Sequence, residues 1–181
     1  QQNHYYKKVE DLLGGDFYVN LNQFAERDFG VGSGVNQFDV DHPNRILQVG
    51  DRFGYDYNLN ISRAASWVQG VFKFNKLDFF LAGNIYATSF HREGNVRNGI
   101  FPNESLGKGT VNNFLDYATK AGVTYKLNGR NYLFVNGAYL TRAPYFENVY
   151  ISPRTRNAQQ SDLQSEEILS GEAAYVLNAP K

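Results

Sequence analysis

Residues 113–130 read NFLDYATKAGVTYKLNGR, and the order of side chains within them decides the fold class. Leu115, Tyr117, Ala121, Val123 and Tyr125 share the odd positions, whereas Asp116, Lys120, Thr124 and Lys126 share the even ones. A period of two belongs to a strand, whose side chains point alternately to its two faces. Asn128-Gly129 then supplies a tight hairpin turn before the run 130–142. Each run is about a dozen residues long, against roughly 5–6 for an ordinary globular strand and roughly 9–11 for one that crosses a bilayer.

The layout repeats outward from this hairpin. The runs 63–75 and 77–90 meet at the tight turn Asn75-Lys76, and a long polar loop, 91–112, follows them. A second polar loop covers 143–163, and the last run, 164–177, ends in Asn178-Ala179-Pro180. In 77–90, Leu77, Phe79, Leu81, Gly83, Ile85 and Ala87 lie opposite Asp78, Asn84, Tyr86 and Thr88. In 164–177, Leu169, Gly171, Ala173, Tyr175 and Leu177 lie opposite Glu166, Ser170 and Glu172. The run 130–142 is less regular, because Tyr132, Leu133, Phe134 and Val135 are all apolar. Short turns alternating with long polar loops are the plan of an outer-membrane barrel. The predicted fold is therefore all-β: a long antiparallel meander forming part of a transmembrane β-barrel with long extracellular loops. Residues 1–62 are expected to be an extracellular loop region with short strands. Residues 63–181 are expected to hold about five spanning strands and two long loops.

Residues 1–50 read as irregular surface structure. Val9-Glu10-Asp11-Leu12-Leu13 suggests a turn of helix stopped by Gly14-Gly15. Phe17, Val19 and Leu21 alternate briefly with polar neighbours, Gly30-Val31-Gly32-Ser33-Gly34 is a flexible stretch, and Asp41-His42-Pro43-Asn44 is a turn. From 52 to 62 the alternation is nearly complete. Phe53, Tyr55, Tyr57, Leu59 and Ile61 share one face, opposite Arg52, Gly54, Asp56, Asn58, Asn60 and Ser62. That segment is either a spanning strand or a well-ordered outer loop.

Composition narrows the function. Lys and Arg number 18 and Asp and Glu 18, so no net positive charge recommends nucleic acid as a partner. The chain has no Cys, which excludes disulfides and thiolate metal sites. No run of about 20 apolar residues offers a membrane helix, a test that barrel strands escape. A mean hydropathy of −0.49 fits polar loops and a polar lumen as well as it fits a soluble domain. The absence of Met favours a processed or internal segment of a longer chain. His4, His42 and His91 lack metal-ligand spacing, and Asp39, Asp41 and His42 lack the ligand set of a calcium loop. Gly30, Gly32 and Gly34 have no Lys-Ser or Lys-Thr after them and form no phosphate cradle. No Ser-His-Asp arrangement stands out. The expectation is a protein without catalytic residues, metal or cofactor.

Four stretches carry a family resemblance: Phe90-His91-Arg92-Glu93-Gly94; Tyr117 to Tyr125 with Lys126-Leu127-Asn128-Gly129-Arg130; Val135 to Pro144; and Ser165 to Tyr175. Together they resemble the barrel of TonB-dependent outer-membrane receptors, particularly those of Bacteroidetes-type bacteria. The likeness covers most of 50–177, and it lacks a plug domain, a TonB-box segment and an aromatic-ended terminal strand. It implies a barrel fragment in the bacterial outer membrane, surrounded by lipid. It also implies a plug domain in the same parent chain, TonB acting through that parent, and a scarce bulky nutrient such as a siderophore, glycan or peptide. A surface lipoprotein is a further partner of the family. Glu166 and Glu172 match the family's paired-glutamate strand, which the resemblance connects with holding the plug. About five strands cannot close a barrel, so neighbours must pair their edges.

The site candidates follow from this plan. Asp116, Lys120, Lys126, Arg142, Glu166 and Glu172 are lumen- or plug-facing candidates, with a plain ladder of cross-strand pairs as the simplest expectation. Tyr5, Tyr6, Phe17, Phe101, Asn103, Tyr145 and Phe146 are loop residues suited to ligand contact, and Arg154 and Arg156 belong to a polar cluster suited to an anion or a sugar. The alternative is a soluble or surface all-β carbohydrate-binding module. Such a sandwich would pack the apolar sides of 113–126 and 164–177 against each other. A barrel would leave Tyr117, Val123, Leu169 and Tyr175 uncovered.

Overall fold

Long antiparallel strands joined by tight turns carry the fold of the computed structural model, which describes residues 1–15, 18–30, 32 and 34–178. The readings made at Phe17, Val31, Ser33 and Ala179-Pro180 lie outside the described residues. In chain order the elements are β1 (Gln2–Lys8), β2 (Tyr18–Val19), α1 (Ala25–Phe29), β3 (Ile46–Leu47), β4 (Arg52–Lys73), β5 (Leu77–Gly94), β6 (Gly107–Lys108), β7 (Asn112–Lys126), β8 (Asn131–Arg142), α2 (Phe146–Val149) and β9 (Glu166–Leu177). One sheet runs β1-β4-β5-β7-β8-β9, with β6 beside β5, and β2 pairs β3 in a second small sheet. The protein is all-β and antiparallel, as the alternation predicts.

Three differences from the sequence reading stand out. Residues 2–8 form a strand rather than irregular structure. The helical turn expected at 9–13 is absent, and the short helix lies at Ala25–Phe29 instead. Leu13 adopts a left-handed φ of 27°, which breaks any helix there. The runs 52–62 and 63–75 are one continuous strand, β4.

The chain divides into two compact units. The first comprises Gln1–Ser62, Ser89–Asn112 and Tyr145–Asp162; the second comprises Arg63–Thr88, Asn113–Pro144 and the chain from Leu163.

The second unit is a meander. β7 and β8 pair from Ala118↔Leu140 to Lys126↔Tyr132, and β8 and β9 pair from Asn131↔Leu177 to Arg142↔Glu166, both without a slip. An unbroken register keeps each face consistent across strands. Leu115, Tyr117, Val123 and Tyr125 of β7 therefore share a face with Leu133 and Val135 of β8 and with Leu169, Tyr175 and Leu177 of β9. Phe72 of β4 stacks on Phe79 of β5 at 4.7 Å, which aligns those two strands in the same way. The opposite face is crowded at Gly122, where an added Cβ would come within 2.3 Å of the Phe80 ring and closer still to Asn136 Oδ1. Those two side chains occupy the space that a larger residue would need.

The first unit has a conventional interior. Leu47, Tyr57, Leu59, Phe90, Val149 and Tyr150 are buried together with Arg92, Asn98 and Ser105. β1 pairs β4 from Gln2↔Asn60 to Lys8↔Arg52, with a bulge between Tyr6 and Lys7. Gly54, one of the two unpaired residues of β4 in that bulge, takes a φ of 73°, the left-handed region that glycine enters at little cost. Gly94 meets a different need: a Cβ there would lie 1.8 Å from the Ser105 carbonyl oxygen. The first long loop can turn back onto β5 only because that Cβ is missing.

Candidate functional site

The first unit gathers aromatic rings and cations on one surface. The register of β1 on β4 sets Tyr57 beside Tyr5 and Phe53 beside Lys7, and Tyr55 lies in the bulge between those two pairs. Tyr5 stacks on Tyr57 with centroids 5.1 Å apart and meets Phe146 at 5.9 Å; Tyr55 lies 6.0 Å from Tyr57. Cations sit over these rings. Lys7 Nζ is 5.7 Å from the Tyr55 centroid and 5.8 Å from that of Phe53, and the Arg154 guanidinium is 5.2 Å from Tyr55. The half-buried Phe53 and Tyr55 rings beneath the exposed Lys7 and Arg154 form a surface that can stack a flat ligand and pair with its negative groups, with buried Tyr57 backing them.

Arg92 fixes the loops around that surface. It is 2% exposed, and its guanidinium lies 4.9 Å from the Tyr57 ring. Nε donates to the Pro153 carbonyl at 2.6 Å, and Nη1 donates to the Ser105 carbonyl at 3.0 Å and to Asn157 Oδ1. Its backbone N–H donates to the Tyr150 hydroxyl at 2.8 Å. One side chain thus ties the 95–112 and 145–162 segments to β5. Burial pulls the Arg92 pKa down to about 10, against the weaker opposing pull of the Tyr57 and Tyr150 phenols. It stays charged at neutral pH. Burial likewise pushes the Tyr57 and Tyr150 phenols up.

Asp56 organises a separate polar group. His4 Nε2 lies 2.6 Å from its Oδ1, Asn95 Nδ2 donates to the same oxygen at 2.6 Å, and Arg52 donates to Oδ2 at 3.0 Å. Burial alone would raise the Asp56 pKa; the bonds from Asn95, His4 and Arg52 outweigh it and hold the carboxyl below its ordinary value.

The predicted loop contacts are therefore divided. Tyr5 and Arg154 meet the shared Tyr55–Tyr57 rings. Phe101 pairs with Arg156, whose guanidinium is 4.2 Å from the ring, and with Phe29 at 6.0 Å. Tyr6 lies on β1 next to Arg52, 4.6 Å from its ring, and His4. Tyr145 is exposed at the start of α2. Sequence reading did not single out Tyr55, Tyr57, Lys7 or Arg92 as site residues. The alternation at 53–57 was a signal for the rings, whereas nothing local to Arg92 announces a buried cation.

The second unit distributes its charged candidates along β7, β8 and β9. Asp116 is fully buried and accepts the Ala143 N–H at 3.0 Å, so it closes the end of β8. Arg142 and Glu166 are register partners and form a salt bridge. Lys126 pairs with Asp78 at 2.7 Å. Lys120 and Glu172 are exposed, and together with Phe80, Asn136 and Ser170 they line a shallow hollow of about 320 Å³. Among the described residues no group of three or more His, Asp or Glu side chains is placed to hold a metal.

Fold and surface together define an all-β antiparallel protein with an aromatic and cationic patch. No protein-family model matches the chain, and neither a curated protein nor a solved structure matches it.

Proposed function

We propose that the chain forms part of the barrel wall of a TonB-dependent outer-membrane receptor, whose loops capture a scarce bulky nutrient. The observation that carries this reading is the uncovered apolar face of the second unit. Leu115 is 71% exposed and Leu169 83%, and Tyr117, Val123, Val135 and Tyr175 are exposed beside them. The face continues through Leu81 and Ile85 of β5 and Val68 and Phe72 of β4, both strands also exposing these residues. Water-soluble proteins rarely expose a continuous apolar area of this kind. A soluble sandwich would cover it with a second sheet.

The distribution of charge supports the same reading. Asp116, Lys120, Lys126, Arg142, Glu166 and Glu172 all fall on the other face, leaving only Glu167 at the margin of the apolar one among the described residues of β7, β8 and β9. Tyr117 and Tyr125 lie roughly 26 Å apart along β7, or about 20 Å across a bilayer at a barrel strand's tilt, a fit to aromatic girdles at two interfaces. The barrel's part is passive: lumen groups guide the ligand and hold the plug of the parent chain, and no bond chemistry is assigned to them.

Single cysteines test this directly, since the chain has none of its own. With the full-length protein in outer membranes, cysteines at Val123, Val135 and Leu169 are expected to react only with a lipid-soluble maleimide. Cysteines at Lys120 and Glu172 are expected to react with a water-soluble one. Equal labelling of both sets by the water-soluble reagent would refute the barrel.

A further inference from the structure

We infer that Lys7, Arg154 and Tyr55 form a recognition site for an anionic ligand, one that carries carboxylate or phosphate groups. The inference deepens the receptor reading by naming the chemistry of the captured nutrient. Two cations, Lys7 and Arg154, lie over the single Tyr55 ring, at 5.7 and 5.2 Å from its centroid. Neither forms an ion pair with a carboxylate among the described residues, whereas Arg45, Arg52 and Arg97 of the same unit each do. Shortage of acid is not the cause, because carboxylates outnumber cations in the first unit. The buried guanidinium of Arg92 adds a third positive charge behind the neighbouring Tyr57 ring, also without a carboxylate among the described residues. Like charges gathered on one aromatic surface repel each other, and an arriving anion relieves that repulsion while the ring accepts its flat face.

Two sources of this chemistry are separable: a sugar acid, whose ring would stack on Tyr55, and a phosphate-bearing ligand. Calorimetry on the full-length protein in detergent, with trigalacturonate, its methyl ester and tripolyphosphate as probes, distinguishes them. At least one anion is expected to bind, the neutral ester is expected not to, and high salt is expected to weaken the complex. Replacing both cations (K7Q with R154Q) is expected to weaken anion binding roughly ten- to a hundredfold, the loss of charge-assisted contacts. Tighter binding of trigalacturonate identifies a sugar acid; tighter binding of tripolyphosphate identifies a phosphate-bearing ligand. Both side chains are exposed, so the double variant should keep its strand content by circular dichroism, and each single variant provides a second measurement if it does not. Failure of both anions to bind, equal binding of ester and acid, or unchanged binding by the variants would overturn the inference. Binding of an anion by a protein that does not partition into membranes would instead sink the barrel and leave the site standing.

Discussion

Two segments of this chain alternate in the same way and end in opposite surroundings. In the first unit Phe53, Tyr55, Tyr57 and Leu59 repeat every second residue, and Tyr57 and Leu59 are 4% and 1% exposed. In the second unit Leu115, Tyr117, Val123 and Tyr125 repeat every second residue and stay uncovered. Alternation therefore identifies the side chains that share a face but says nothing of the medium that face meets. What covers Tyr57 is a set of loops held by Arg92. Nothing among the described residues covers Val123, and the proposed answer is lipid.

The largest expected effect attacks the covered region. Arg92→Met would leave the buried Ser105 carbonyl and the half-buried Pro153 carbonyl and Asn157 Oδ1 without their donor. At about 1–3 kcal/mol for each acceptor left unsatisfied, the first unit should lose roughly 3 kcal/mol or more. Hydrogen exchange and protease cleavage in 95–112 and 145–162 should rise sharply while 113–142 is unchanged. An equal rise in both regions would show that the units do not hold themselves together separately.

The next effect attacks the uncovered region. Val135→Arg should cost about 2–4 kcal/mol if the residue meets the middle of a bilayer. On a water-exposed strand the same change should stay within about 0.5 kcal/mol. Equilibrium unfolding from lipid vesicles separates the two outcomes, with Lys120→Arg on the opposite face as the neutral control.

A smaller effect is set by pH. The folded-state pKa of Asp56 is held below the ordinary 3.8. Its stabilisation is therefore fully present above the unfolded-state value and is lost as pH falls through the depressed folded value. Asn95 and His4 should loosen in strong acid, read as faster exchange at the Asn95 amide, which donates to the Asp56 carbonyl. Asp56→Asn should flatten this dependence below pH 4. A dependence that persists in the variant would assign the acid sensitivity to another group.

The long strands were legible because their alternation is regular and their turns are marked. Asn75-Lys76 and Asn128-Gly129 fall between β4 and β5 and between β7 and β8. β1 was missed, since Tyr5 and Tyr6 are adjacent aromatics and blur the period across Gln2–Lys8. Its strand state comes from pairing with β4, a contact that local sequence does not encode. The candidate site was legible in parts. Tyr5 and Arg154 have the chemistry of ligand contacts, yet Lys7, Tyr55 and Arg154 lie far apart in the chain, and only the fold brings them to one ring.

The smallest expected effect concerns the charged face of the second unit. Arg142 and Glu166 are directly opposed across β8 and β9 and form a salt bridge, each more than a third exposed. Exposed pairs of this kind contribute about 0–1 kcal/mol, because water already solvates both charges and ordering the side chains costs entropy. Glu166→Gln should therefore barely move stability in lipid vesicles, even though the family resemblance marks this glutamate. A role in holding a plug would appear elsewhere: in full-length protein the variant should raise passive solute entry while leaving the barrel's unfolding unchanged. A loss of stability well above 1 kcal/mol without a change in entry would mean that the pair is structural, and that this face is drier than a water-filled lumen allows.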